Sequence, residues 1–239
     1  MDTILFDLDG TLLPMDMDAF MHAYFSELCK KCAPAGYEPR RLVDAVLAGL
    51  DAMQTNDGEA TNEERFMAAA SKIVGDRISQ DKPLFRDFYL NEFSRVKGAV
   101  EPTPLASKCI KALKKKGYQL VLATNAVFPK EATLARIEWA GLNKNDFVLI
   151  TTYEDFHYAK PNLGYYEQIL DRIGRNATDC MMVGNDVRED MCVRELGMDT
   201  FLVTDCLINK DKVDISQFKH GSLAEFYEYI QSLPEAGKR

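Results

Sequence analysis

The chain has no apolar stretch approaching the roughly twenty residues that a membrane-crossing helix needs. Its first residues, Met1-Asp2, lead straight into an apolar run without the basic and apolar regions of a signal peptide, so a cytoplasmic protein is expected. Positive charge is in short supply: 29 Lys and Arg stand against 37 Asp and Glu, a formal net charge of −8. Such a surface repels a nucleic-acid backbone or an anionic membrane on average, so neither is an expected partner. Histidine is scarce too, and His22, His157 and His220 are too dispersed for a metal cluster. The six cysteines are scattered among apolar neighbours, which suits buried, reduced thiols. Cys29-Lys-Lys-Cys32 has the spacing of a zinc or redox pair but lacks a second pair or a nearby histidine; in a helix it is simply i and i+3. There is no internal repeat, and no low-complexity segment beyond the short "PEAGKR" tail.

What remains is an ordinary globular composition: 239 residues, 46% hydrophobic and 28% charged, enough for one or two domains with a sizeable core. Two textures divide it. From Asp16 to about Lys97 the pattern is helical: "MDAFMHAYFSELCKKC", "EPRRLVDAVLAGLDAM" with Pro39 near its first turn, "TNEERFMAAASKIVG" with a Thr61-to-Glu64 capping box, and "DKPLFRDFYLNEFSRVKG", for which Asp81 is the expected cap and Gly98 the expected stop. From about Ala99 onward, helix alternates with short, nearly continuous apolar strands: "YQLVLAT", "DFVLI", "CMMVG" and "DTFLV" separated by helical patterns, the last of them "VREDMCVRELG". This alternation predicts a parallel sheet covered on both faces, joined by the isolated N-terminal strand. The expected fold is therefore α/β, a doubly wound, Rossmann-like parallel sheet formed by residues 1–13 and 99–239, with an α-helical cap domain, 14–98, inserted after the first strand.

In open parallel sheets the ligand site lies at the carboxyl ends of the strands. Those ends carry polar residues here. The first strand is followed by Asp7, Asp9, Gly10 and Thr11; "YQLVLA" by Thr124 and Asn125; "DFVLI", through a loop, by Lys160-Pro161; and "CMMVG" by Asn185 and Asp186, with Asp190 beyond. Each has a plain structural reading, as an Asx turn, a helix cap, a solvated lysine or acids at a helix N-terminus. Together they predict one rim of carboxylates, an ammonium and a hydroxyl.

Phosphoryl transfer fits that set. Clustered carboxylates need a cation, and all-oxygen ligands favour Mg²⁺, which keeps waters and bridges to phosphate. One aspartate can attack phosphorus, a second carboxyl can protonate the leaving oxygen and then deprotonate water, and the hydroxyl, amides and ammonium can hold the phosphoryl oxygens.

In their order, "DLDGT", "LATN", "KP" and "VGNDVRED" resemble the four motifs of the haloacid dehalogenase superfamily, and the helical block resembles the cap that one large subfamily inserts after its first motif. The resemblance spans nearly the whole chain. It implies Asp7 as nucleophile, Asp9 as acid/base, Thr124 and Asn125 as the phosphoryl-binding pair with Thr11 a further substrate-binding residue, and Lys160 as the lysine that balances charge on the phosphoaspartate. It also implies Mg²⁺ held by Asp7, the backbone carbonyl of Asp9 and Asp186, with Gly10, Asn185 and Asp190 in support. In the dehalogenases that name the superfamily the position matching Asp9 is not an acid, so its presence favours phosphate substrates. The expected activity is Mg²⁺-dependent hydrolysis of a small phosphomonoester, a sugar phosphate or nucleoside monophosphate, by a monomer or weak dimer. A phosphomutase, and a silent phosphate-binding regulatory protein, are the alternatives. Met15, Asp16, Phe20 and Tyr24 are the expected specificity residues of the cap, with the linkers near Pro14 and from Glu101 to Pro104 as its hinges.

Overall fold

The computed structural model describes residues 1–237. In chain order the elements are β1 (Thr3–Phe6), α1 (Met17–Cys32), α2 (Pro39–Gln54), α3 (Asn62–Val74), a single turn α4 (Arg77–Gln80), α5 (Lys82–Leu90), α6 (Pro104–Lys115), β2 (Gln119–Leu122), α7 (Lys130–Trp139), β3 (Leu149–Ile150), α8 (Leu163–Ile173), β4 (Cys180–Gly184), β5 (Asp199–Val203), β6 (His220–Gly221) and α9 (Leu223–Ser232). None of these helices is long and apolar enough to cross a membrane.

The strands form one sheet in the order β3-β2-β1-β4-β5-β6. Every pairing is parallel. β1 is central and wholly buried, which is why "TILF" carries no charge. Its alternate side chains feed two cores. Ile4 and Phe6 join Leu120, Leu122, Met181 and Val183 beneath α6 and α9, whereas Leu5 joins Val121 and Met182 beneath α8. Register then fixes the rim: Phe6 stands opposite Leu122 on one side and Val183 on the other, so the residues that follow all three strands emerge at one level. The chain builds outward from β1 through β2 to β3 and then crosses to β4 on the other side, which makes β1 the point where strand order reverses.

The helices between β1 and α6 stand over this rim. Their two connections to the sheet touch: Met15 bridges Val100, and the Glu101 amide donates to the Pro14 carbonyl at 2.8 Å. Asp16 caps α1 through the Ala19 amide, and the Thr61–Glu64 capping box of α3 is formed in both directions. The fourth expected helix differs from its pattern. It runs only to Leu90 and continues as a 3₁₀ run over Glu92–Ala99. Asp81 does not cap it; its carboxylate instead accepts from the Tyr37 hydroxyl at 2.8 Å and from Arg77 at 3.2 Å. The break turns Phe93 inward, where it stacks on Trp139 of α7 at 4.9 Å and meets Phe20 and Phe88 edge-on. Phe20, expected to face substrate, is thus a core residue, meeting Phe93 and, across in the segment before α7, Phe128 edge-on. "VREDMCVRELG" also departs from expectation, forming a turn followed by a 3₁₀ run over Met191–Leu196.

Candidate active site

The end of β1 sets the centre. The Asp7 amide continues the sheet by donating to the Val183 carbonyl at 2.9 Å, and the chain then reverses, with the Thr11 and Leu13 amides both donating to the Leu8 carbonyl. The reversal needs Gly10, whose φ is +82° and where a Cβ would stand 2.3 Å from Nδ2 of Asn185. Asn185, at the end of β4, is itself fixed, donating to the Cys206 carbonyl at 2.7 Å and accepting from the Thr11 hydroxyl at 3.0 Å. That same hydroxyl lies 3.1 Å from Oδ2 of Asp7. Its single proton is therefore shared between two acceptors.

Lys160 reaches the site from the loop after β3 and is almost wholly buried. Its Nζ donates to Oδ1 of Asp7 at 2.9 Å and to Oδ1 of Asp190 at 2.6 Å. Burial alone would lower its pKa, but the two carboxylates overcome this and hold it well above the ordinary lysine value. Asp190 also accepts from the Asp186 amide at 3.0 Å, and Gly184 leaves it room, since a Cβ there would stand 2.1 Å from Oδ2 of Asp190. Behind β2, the Thr124 carbonyl accepts from the hydroxyls of Thr151 at 2.6 Å and Tyr165 at 2.7 Å, which positions Thr124 on the cavity wall. The Asn125 side chain is engaged at both ends: it accepts from the Lys160 amide at 3.1 Å and donates to Glu189 at 3.0 Å. Asp186 faces the cavity with Oδ1 capping the amides of Arg188 and Glu189. The structure thus brings together every residue singled out in the four motifs.

Two participants were not legible as such. Arg136 of α7 is fully buried and donates to Oδ2 of Asp9, with its guanidinium 4.4 Å above the Phe128 ring. The other oxygen of Asp9, Oδ1, is buried without a hydrogen-bond partner among the described residues. Glu189 sits between Asn125 and the cavity, its backbone carbonyl accepting from Tyr166 at 2.7 Å. In the structure Ala132, Thr133, Arg136 and Ile137 share the buried stripe of α7, so the arginine lies on the inward face, which the mixed polar and apolar sequence of this helix does not announce.

Electrostatically the site is rich in acid. Asp7, Asp9, Asp186, Glu189 and Asp190 line one cavity, against Lys210 on its wall and Lys160 and Arg136 behind it. Burial, reinforced by Asp190 and Asp9, pushes the Asp7 carboxyl up to about 7 even though Lys160 pulls it down. Glu189 is likewise pushed up to about 7, by burial and then by Asp190 and Asp186. Asp186 is raised for the same first reason. Among the described residues no three acidic, histidine or cysteine side chains form a ready-made metal cage. An excess of buried carboxylate with an unpartnered oxygen nevertheless suits a hard cation that takes one or two protein carboxylates and fills its shell with water and phosphate.

The cavity has a volume of about 380 Å³ and extends from Asp7 and Asp9 up among the inserted helices. Of the residues expected to set specificity, only Tyr24 lines it; Met15 and Asp16 line a second hollow at the same rim.

Comparison with known proteins gives concordant results. The family model for haloacid dehalogenase-like hydrolases matches residues 1–191. A glyceraldehyde 3-phosphate phosphatase from Methanothermobacter thermautotrophicus is 25% identical over 244 residues, covering 97% of each chain. A ribulose-1,5-bisphosphate 5-phosphatase from Halopiger xanaduensis is 26% identical over 212 residues, covering 83% of each. Among solved structures, a 2-haloacid dehalogenase from Pseudomonas syringae superposes with a TM-score of 0.63 at 18% identity, covering 97% of this chain and 99% of that one. A phosphatase from Thermococcus onnurineus superposes at 0.55 and 19% identity, covering 96% and 98%.

Proposed function

The chain belongs to the haloacid dehalogenase-like hydrolases, as a phosphoric monoester hydrolase, and from that premise we propose that it cleaves a small-molecule phosphomonoester through a phosphoaspartate on Asp7. The observation that carries the reading is the different setting of two carboxylates on one cavity wall: Asp7 is buried against Lys160, and Asp9 is held by Arg136 with one oxygen left unpartnered.

In this mechanism a carboxylate oxygen of Asp7 forms a bond to phosphorus as the bond to the leaving oxygen breaks, and Asp9 supplies the proton that the leaving oxygen takes up. Asp9 then removes a proton from the water that attacks the phosphoaspartate, which releases inorganic phosphate and restores Asp7. Lys160 offsets part of the cost of ionising the buried Asp7 and balances the charge passed to it. Thr124 supplies a hydroxyl at the phosphoryl group and Asn125 and Thr11 bind the substrate beside it, the same two side chains also tying the Lys160 loop and the end of β4 to the site. Gly10, Asn185 and Asp190 position the turn, the hydroxyl and the lysine.

The reading includes Mg²⁺, for which Asp7, the backbone carbonyl of Asp9 and Asp186 would be the ligands. The ion would neutralise the acid cluster and draw the phosphoryl dianion in. The inserted helices, 14–98, act as a cap over the core, 1–13 and 99–239, with the Met15–Val100 bridge at its base. A cytoplasmic location accords with six free cysteines. The test is hydrolysis of p-nitrophenyl phosphate with and without Mg²⁺: wild type should turn it over only with the metal, and Asp7→Asn should not turn it over at all.

A further inference from the structure

We infer that the leaving group this phosphatase accepts is apolar, an alkyl or aryl alcohol, and not the sugar or nucleoside expected from sequence. The inference rests on the phosphatase reading and deepens it by naming the substrate class from the far end of the same cavity.

The two ends of that cavity differ in chemistry. The end at the sheet holds the acids and amides described above. The other end is lined by Met21 and Leu28 of α1, Leu50 and Met53 of α2, Phe66 of α3 and Phe85 of α5. Among the described residues, every carboxylate, ammonium, guanidinium or imidazole on the lining lies outside 14–98, so the inserted helices contribute none. Their polar side chains on the lining are the Gln54 carboxamide and two phenols that satisfy each other, the Tyr24 and Tyr89 hydroxyls being 2.8 Å apart.

Such a wall penalises polar leaving groups. The Gln54 carboxamide could serve one hydroxyl, but the other hydroxyls of a sugar taken from water would lose hydrogen bonds that thioethers and phenyl rings cannot replace. A second phosphate or a carboxylate would meet no cation from the cap. An apolar chain incurs neither cost and removes further apolar surface from water. The volume points the same way. Protein interiors close over voids far smaller than 380 Å³, and a void lined by apolar side chains destabilises in proportion to its size, so a space of this kind opening onto the nucleophile is a binding site. Methionines at Met21, Met53 and Met67 give it walls that adapt to chains of differing shape.

The test measures kcat/KM for methyl, butyl, hexyl and octyl phosphate beside glucose 6-phosphate and adenosine monophosphate. The expected result is a rise of about two- to fourfold for each added methylene until the cavity is full, with both polar esters about a hundredfold or more below octyl phosphate. A flat series, or a polar ester hydrolysed as fast as octyl phosphate, would overturn the inference while leaving the phosphatase reading intact. Binding of octylphosphonate, which has no ester to hydrolyse, provides an arm independent of turnover. It should bind at least tenfold more tightly than methylphosphonate, with a negative heat-capacity change. Equal affinities overturn the inference. Tight binding with no ester hydrolysed sinks the phosphatase reading and upholds the apolar site. Leu50→Arg should abolish the chain-length dependence, with a thermal melt showing the variant folded; an unchanged slope in folded Leu50→Arg counts against it.

Discussion

Arg136 and Asp9 lie 127 positions apart in sequence and form a part-buried ion pair at the sheet end of the cavity, with the guanidinium also over the Phe128 ring. The pair fixes one oxygen of Asp9 and leaves the other without a partner among the described residues. An acid/base that must reach both a leaving oxygen and a water needs such a fixed pose, because proton transfer depends on geometry before it depends on pKa.

Arg136→Met fills the space beside Phe128 but releases Asp9. The expected loss is about ten- to a hundredfold in kcat on alkyl phosphates, whose alkoxide needs a proton, and distinctly less on p-nitrophenyl phosphate. KM should change little, and Arg136→Lys should recover part of the rate. Steady-state kinetics across both leaving groups measures this; equal losses would assign Arg136 to packing alone.

Among the described residues Lys160 is the single ammonium between Asp7 and Asp190. Removing one partner of a buried ion pair leaves uncompensated charge and costs about 3–5 kcal/mol. Lys160→Met should lower unfolding stability by that order near neutral pH, and adding Asp190→Asn should restore part of it by relieving repulsion. Urea unfolding of the two variants decides: no recovery in the double variant would show that Asp190 does not load the site as argued.

How much of this was legible in the sequence follows from how local each signal is. The strand ends were readable because an apolar run followed by Asp7 and Asp9, or by Asn185 and Asp186, announces both the strand and its exit. The parallel sheet followed from the alternation of textures. Arg136 was hidden because its role depends on which face of α7 packs inward, and that is set by Phe93 from a distant segment together with Phe128 just before the helix. Phe20 misled for a related reason: nearness in sequence to the first motif does not decide on which side of α1 a ring packs. The break after Leu90 lies in a pattern that reads as continuous helix, and it is tertiary packing of Phe93 against Trp139 that accompanies the switch to 3₁₀. The final strand and helix, β6 and α9, were not singled out, since "HG" is too short to read as a strand.

The raised carboxyls give a pH dependence with a definite sign. Asp7 and Glu189 move from ordinary values of 3.8 and 4.5 up to about 7. Below the ordinary values both the folded and unfolded chains are protonated there. As pH rises above about 4 the unfolded chain releases these protons first, so metal-free stability should fall, and the loss should be complete above about 7. Mg²⁺ binding to the ionised cluster should reverse it. Thermal melts at about pH 5.5 and about pH 8, each with Mg²⁺ and with a chelator, should show the larger metal-dependent gain at the higher pH. A gain independent of pH would separate the metal from these carboxylates.

Gly10→Ala meets two obstacles, a φ of +82° and Nδ2 of Asn185 at 2.3 Å from the new Cβ. The backbone alone costs about 1–2 kcal/mol, and the displaced Asn185 loosens Thr11. Both lower stability and a reduced kcat are expected, from denaturant unfolding and kinetics. An active, fully stable Gly10→Ala would show that the turn relaxes freely.

The most direct measurement is intact-protein mass spectrometry of enzyme quenched rapidly after mixing with Mg²⁺ and p-nitrophenyl phosphate. Asp9→Asn should accumulate one phosphoryl adduct, removable by hydroxylamine as an acyl phosphate is, because the nucleophile remains while the base for its hydrolysis is gone; Asp7→Asn should show none. An adduct on Asp7→Asn, or turnover by Asp7→Asn at the wild-type rate, would contradict the account.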